Sequence, residues 1–307
     1  MSSPRSEAPS VLFSAPRFLE ELEQGSASMG APYSEKSTKT VLDAFGHKFS
    51  EGAIQLIATS RPGEPIIYRL LMRKPADTID IAVGAGLLAS DNAIAPIVQS
   101  VKSLWEVAYE QCDFSSDGGL VGSFVYLGPL RKLDEVLEAP LMPEGVKKQA
   151  PVFHELGLEL VQVVYFDYVK NTITLYFIAS GPLTKETAAK FTGLAGAAPP
   201  TDFLYDEMSI LLGANDFFFT VTMEIDTGIV SRVDFYMIFP IELPGGRLPE
   251  VGARLTDFWD FPYYEEEEMD ILCWCYSRHA EPFIQAERAY CGDLRTLLRD
   301  WRIMSVD

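Results

Sequence analysis

Residues 160–179 read LVQVVYFDYVKNTITLYFIA, two apolar runs, Leu160–Tyr168 and Thr172–Ala179, around Val169-Lys170-Asn171. Val, Ile, Thr, Tyr and Phe suit a pleated, half-buried backbone. A short connection ending in Asn, which tolerates the left-handed region, closes such runs into a hairpin. The two strands are then antiparallel, because parallel neighbours need a long crossover.

The same unit recurs on both sides of this stretch. Upstream lie Ala53–Ser60 with Ile66–Arg73, joined across Arg61-Pro62-Gly63-Glu64-Pro65, and a weaker pair, Trp105–Phe114 with Val121–Leu127, joined through Ser115-Ser116-Asp117-Gly118-Gly119. Downstream lie Phe217–Ile225 with Val230–Phe239, turning at Asp226-Thr227-Gly228, and Ile271–Ser277 with Phe283–Tyr290. The pairs return at roughly 55-residue intervals, the scale of repeat architectures. Helical patterns separate them: Thr38–Phe49, Thr78–Leu88, Ala95–Leu104, Glu144–Leu156, Lys185–Leu194, Asp202–Leu212, Gly252–Trp259 and Leu294–Trp301. Five hairpins would leave sheet edges exposed unless the sheet closed. About ten strands make a barrel wider than the eight-stranded kind that side chains just fill. The sequence therefore predicts an α/β chain: a closed ten-stranded antiparallel β-barrel with a wide lumen, inside an outer ring of α-helices. Residues 31–307 are expected to form this one domain, and 1–30 a flexible tail, polar and Pro/Ser-rich over Met1–Ser10, with a short helix.

Composition excludes several classes. The 307 residues are 48% hydrophobic and carry a formal net charge of −19. No apolar run reaches the roughly 20 residues that span a bilayer, and the N-terminus lacks a secretory apolar core. A cytoplasmic monomer is expected, with no membrane partner. No Lys/Arg stripe exists to displace counterions from nucleic acid. An anionic substrate must therefore meet a local basic pocket against the global field. Four cysteines, Cys112, Cys273, Cys275 and Cys291, are too few for a disulfide framework. Cys273 and Cys275 share one strand face, which suits packing or barrel lining better than a metal site short of ligands.

Strand alternation supports a polar lumen. It groups Arg69 with Arg73, Thr172 with Thr174 and Tyr176, Arg232 with Asp234 and Tyr236, and Gln285 with Glu287. On a plain sandwich these groups would face solvent; on several strands of a barrel they converge. Familiar catalytic motifs are missing. His47, His154 and His279 begin no metal or hydrolase motif, no Gly-rich phosphate loop follows a strand, and no Asp-Asp-x-x-Asp set is present to hold magnesium. Glu265–Glu268 reads as a solvated loop. Neither a metal nor a cofactor is expected.

The hairpin Phe166-Asp167-Tyr168-Val169-Lys170-Asn171-Thr172-Ile173-Thr174-Leu175-Tyr176-Phe177 resembles the central hairpin of the ABBA aromatic prenyltransferases. The likeness continues at Ala53–Arg69, at Asp77-Thr78 with Ala85-Gly86-Leu87-Leu88, and from Asp226-Thr227-Gly228 to Arg232-Val233-Asp234-Phe235-Tyr236. It ends with Trp274, Arg278 and Ala286-Glu287-Arg288-Ala289-Tyr290, so it spans roughly residues 35 to 301. The branch it is most similar to acts on 4-hydroxyphenylpyruvate and has fungal relatives that accept dihydroxynaphthalenes. The resemblance implies a ten-stranded barrel that binds a prenyl diphosphate with barrel-lining cations. It places Arg69, Lys170, Tyr176 and Arg232 on the diphosphate, Thr174 where the family has asparagine, Glu287 near the acceptor, where a carboxylate can take its proton as general base or hold its hydroxyl, and Gln162 on an acceptor-side position. Family lysines are replaced by Ile57, Gly122 and Gln285, and Arg73, Arg278 or Arg288 are the candidates to make good the lost charge. Magnesium-using members carry an aspartate in the region of Arg69, so a cation there points away from a metal.

The residues support the chemistry independently. Fixed cations in a water-poor lumen stabilise charge developing on a departing diphosphate. Aromatic faces stabilise an allyl cation; Phe124, Tyr126, Phe218 and Tyr236 have lumen-facing parity, and each alone is equally readable as core. Asp234 is a second lumen acid or the ion-pair partner of Arg232 or Arg278. The resemblance makes dimethylallyl diphosphate and an electron-rich aromatic acceptor the expected partners. The competing readings are a barrel that carries an apolar ligand without catalysis and a degenerate scaffold. A carrier would not need several lumen cations.

Overall fold

The computed structural model describes residues 13–106, 109–213, 215–239, 251–260 and 270–301. The tail Met1–Ser10 and the run Glu265–Glu268 lie outside the described residues. Ten strands form one sheet: β1 (Ala53–Thr59), β2 (Ile67–Leu71), β3 (Tyr109–Ser115), β4 (Gly119–Lys132), β5 (Leu160–Asp167), β6 (Thr172–Ala179), β7 (Phe217–Glu224), β8 (Val230–Phe239), β9 (Asp270–Ser277) and β10 (Phe283–Cys291). Each pairs antiparallel with its chain neighbour, and β1 pairs with β10 to close the barrel. Closure brings Ile57 opposite Glu287 and Thr59 opposite Gln285. The five hairpin turns thus share one end, and the helical connections share the other.

The helices follow from local signals. They are α1 (Ala15–Ser28), α2 (Glu35–Phe45), α3 (His47–Glu51), α4 (Thr78–Gly84), α5 (Ala95–Lys102), α6 (Leu133–Leu137), α7 (Glu144–Lys147), α8 (Ala150–Glu155), α9 (Lys185–Leu194), α10 (Asp202–Leu212), α11 (Gly252–Trp259) and α12 (Leu294–Asp300). Ser34, Thr184 and Thr201 cap α2, α9 and α10 by accepting from backbone N–H groups of the first turn. Two expected helices are broken. Thr38–Phe49 divides at Gly46, whose φ of 37° no helix accommodates. Glu144–Leu156 divides at Lys148-Gln149, just before a new helix with Pro151 in its first turn. Trp105, expected to open a strand, precedes β3, and its ring lies 4.8 Å from the Arg131 guanidinium.

Two apolar layers result. Outward side chains pack against the helices: Phe18 of α1 meets Tyr68 and Tyr290 edge-on at 5.3 Å, and Phe191 of α9 meets Phe219 at 4.2 Å. Residues 15–28 thereby share the core of the barrel they precede. Inward side chains form a second cluster that α12 plugs at the end away from the hairpin turns, with Leu297, Leu298 and Trp301. Trp301 stacks on Tyr109 at 5.4 Å and on Tyr126 at 5.3 Å. No helix among the described residues is long and apolar enough to cross a membrane.

Candidate active site

The open end of the barrel leads into a cavity of about 400 Å³. Its rim carries Arg61 and Glu64 from the β1–β2 turn, Asp117 from the β3–β4 turn and Lys170 from the β5–β6 turn. Farther in, its wall presents Arg69, Asp113, Phe124, Tyr165, Tyr176, Arg232, Tyr236, Phe283 and Gln285. A second cavity of about 70 Å³ lies between this one and α12; Gln55, Val163, Phe218, Glu287 and Leu298 help to line it, and it shares Arg69, Phe124, Tyr176 and Tyr236 with the first.

A buried charge cluster separates the two. Arg69 donates through Nε and Nη2 to the two carboxylate oxygens of Asp113 at 2.8 and 3.1 Å. Its Nη1 donates to Glu287 Oε2 at 3.0 Å and to Gln55 Oε1 at 3.1 Å. A planar guanidinium forms this fork, which an ammonium could not. Burial opposes the Arg69 charge, but Asp113 and Glu287 outweigh it and hold the group firmly protonated. Burial pushes the Asp113 carboxyl above its ordinary range despite the guanidinium. Glu287 is pushed up in the same way by burial, against the pull of Arg69. Its other oxygen accepts from Gln285 Nε2 at 2.8 Å.

Aromatic faces line the space beside this cluster. The Arg69 guanidinium lies 4.1 Å from the centroid of the Phe124 ring, whose ring neighbours are Tyr165 at 4.3 Å and Tyr176 at 5.7 Å. Tyr176 and Tyr236 share a hydrogen bond of 3.3 Å between their hydroxyls, and Gln285 Nε2 donates to Tyr236 at 3.4 Å. Burial raises both phenols, so they are neutral donors at any physiological pH. Arg232 binds Asp234 through Nε at 3.0 Å, and Asp234 also accepts from Thr220 at 2.7 Å. Asp234 is therefore the ion-pair partner of Arg232.

The structure sorts the expected residues. Arg69, Lys170, Tyr176, Arg232, Phe124, Tyr236 and Gln285 line the main cavity, and Glu287 and Phe218 line the inner one. Thr174 is buried and bonds Thr222 at 2.9 Å. Tyr126 faces inward but lies under Trp301, away from both cavities. Gln162 is buried but lines neither; the lumen residues of β5 are Val163, Tyr165 and Asp167, which have the other strand parity. None of the three candidate substitutes for the missing lysines reaches the cavity. Arg73 is exposed beyond β2 and donates to the Gly292 carbonyl. Arg278 is exposed beyond β9. Arg288 has outward parity and binds Asp270 at 3.1 Å.

The loss at Gly122 has a steric cause. A Cβ there would stand 2.4 Å from the Phe166 carbonyl oxygen and 2.5 Å from the Tyr165 hydroxyl, so Tyr165 fills the space a lysine would need. Sequence reading missed Tyr165, Asp113, Asp167, Phe283 and Arg61 as lumen residues. Asp113 and Asp167 do have lumen parity beside Arg69 and Tyr165, which is the one signal available without a structure.

A closed, dead-ended lumen with cations at its mouth, an aromatic wall and a carboxylate of raised proton affinity inside defines a chamber for group transfer from an anionic leaving group. The chain matches the family model described as aromatic prenyltransferase Orf2 over residues 13–302. It is 39% identical over 293 residues to an aromatic prenyltransferase of Sclerotinia sclerotiorum, with 94% of each chain covered. It is 31% identical to a 4-hydroxyphenylpyruvate 3-dimethylallyltransferase of Streptomyces niveus, covering 94% of this chain and 88% of that one. Its fold matches that of 5-dimethylallyltryptophan synthase from Streptomyces coelicolor with a TM-score of 0.53 at 14% identity, over 88% of this chain and 95% of the other. The protein belongs to the aromatic prenyltransferase family.

Proposed function

We propose that this enzyme transfers a dimethylallyl group from dimethylallyl diphosphate to an electron-rich aromatic ring, a phenol, a dihydroxynaphthalene or 4-hydroxyphenylpyruvate, without a metal. The carrying observation is the polarity of the lumen. Lys170 and Arg232 stand toward the mouth, Glu287 lies at the inner boundary, and Phe124, Tyr176 and Tyr236 span the distance between them.

The donor C1–O bond breaks with its electron pair leaving on the diphosphate. Arg232, Lys170 and the Tyr176 hydroxyl stabilise that charge as it develops. The allyl cation is shielded from water by the aromatic wall. A ring carbon of the acceptor attacks C1, and the proton lost from that carbon, or from its activating hydroxyl, passes to Glu287. Burial raises the proton affinity of Glu287, as this role requires. Arg69, engaged by Asp113 and Glu287, acts as a positioning residue that orients the base. Metal independence is supported by the lumen cations and by the lack of an Asp-rich diphosphate motif in the sequence.

The deciding experiment incubates the protein with dimethylallyl diphosphate and a panel of these acceptors, with and without excess EDTA. A prenylated aromatic product in both conditions is expected. A strict magnesium requirement overturns metal independence, and ligand binding without transfer to any acceptor favours the carrier. With the proposal goes a cytoplasmic monomer, tested by cell fractionation and light scattering.

A further inference from the structure

We propose that Arg61, at the tip of the β1–β2 hairpin, is a donor-binding residue that completes a ring of three cations around the diphosphate. The inference rests on the proposed reaction and adds to it a contact that the likeness to the family does not assign. In the barrel order, β1 is three pairings from β8, which carries Arg232, and β2 is three pairings from β5, whose turn carries Lys170. The three side chains line the same cavity and divide its circumference between them.

Arg61 is held as a binding group is held. Its guanidinium lies 3.7 Å above the centroid of the Phe283 ring. Stacking occupies the face of the guanidinium and leaves its N–H edge for phosphate oxygens. The nearest carboxylate, Glu64, is 3.5 Å away through Oε1, beyond a good charge-assisted hydrogen bond, and its Oε2 accepts from Thr59 at 2.5 Å. The turn itself is braced on both sides of Arg61. Arg254 of α11 donates through Nε to the Thr59 carbonyl at 2.9 Å and through Nη2 to the Glu64 carbonyl. Ser60 N–H donates to the Ile284 carbonyl at 2.8 Å, and Ile284 N–H donates to the Ser60 hydroxyl at 3.1 Å. A five-residue turn of Arg, Gly, Glu and two prolines has no need of such bracing to close a hairpin. Fixing a cation at the mouth gives it a purpose, because a preorganised donor loses less freedom on binding. Arg69 has little to offer in this role, since four N–H contacts of its five N–H groups already go to Asp113, Glu287 and Gln55.

The test measures binding of inorganic diphosphate by titration calorimetry, alongside KM for donor and acceptor, in wild type, Arg61→Ala, Arg61→Lys and Glu64→Gln. Arg61→Ala should weaken diphosphate and raise donor KM about tenfold, with acceptor KM and melting temperature nearly unchanged. Arg61→Lys should recover part of the loss. Glu64→Gln, which removes the competing charge and keeps the Thr59 contact, should tighten diphosphate about threefold. Unchanged diphosphate affinity in Arg61→Ala, or a loss confined to the acceptor, overturns the proposal. Should Arg61→Ala fail to fold, unchanged affinity in Glu64→Gln overturns it. If wild type transfers no prenyl group but diphosphate binding follows this pattern, the catalytic reading falls and the assignment of Arg61 stands.

Discussion

The two ends of the lumen use the same residue type in opposite ways. At the inner end the Arg69 side chain is 10% exposed, with carboxylates at 2.8 and 3.0 Å on two sides. At the mouth Lys170 is 70% exposed with its nearest carboxylate at 4.0 Å, and Arg61 is 39% exposed with its own at 3.5 Å. A buried charge is tolerable only when paired and hydrogen-bonded. A partly solvated one gains little from a pair and can remain open to a ligand. The cations that line the lumen are therefore not equivalent. The inner one serves the protein's own carboxylates, Lys170 and Arg61 are left to meet an anion from outside, and Arg232, bound to Asp234 at 3.0 Å, stands between the two cases.

The sharpest way to break this division is Glu287→Gln, which keeps shape and hydrogen bonding but removes the base. Prenyl transfer should fall by roughly 10²-fold to 10⁴-fold, while the dissociation constant for inorganic diphosphate stays at the wild-type value. Parallel loss of diphosphate binding would mean that the two ends are one site. The complementary change, Arg232→Ala, should lower kcat/KM for the donor by about 10²-fold to 10³-fold. Acceptor KM should change little, and a defect in the acceptor alone would reverse the assignment.

Smaller effects sharpen the comparison through stability. Gly122→Ala places a Cβ against a backbone carbonyl and the Tyr165 ring, so it should cost about 1–3 kcal/mol in a urea titration. A neutral result would mean that the missing cation at 122 has no steric cause. The last effect is a pH dependence. The folded state raises the Glu287 carboxyl above its ordinary 4.5, chiefly by burial, so the folded protein holds this proton more tightly than the unfolded chain. Stability from this group is therefore lost as pH rises from 4.5 through the raised value. Glu287→Gln should melt above wild type near neutral pH, and the gap should close toward pH 4. A gap independent of pH would show that the carboxyl does not titrate as its burial implies.

The hairpins were legible because their signals are local: alternation along each strand, and Asn171 or Gly228 in the left-handed region at the turns. Lumen parity was legible along the strands, and Arg69, Tyr176, Arg232 and Glu287 face where alternation puts them, although β8 and β10 shift register at Ser231 and Tyr290. Gln162, assigned by resemblance alone, has the parity opposite to Val163, Tyr165 and Asp167, which line the lumen. Arg61 escaped notice because a turn full of Pro and Gly reads as turn chemistry, whatever side chain it presents to a cavity.

By itself, the sequence determined the closed barrel, its lumen and the family, since periodicity, turn residues and motif order are all properties of neighbours along the chain. Only the tertiary structure decided which cations are compensated. Arg69 meets Asp113 across 44 residues of chain and Glu287 across 218, and both contacts exist only once β2 has paired with β3 and β1 with β10. Whether a charge is open to a substrate depends on such distances and on burial, which no stretch of sequence contains.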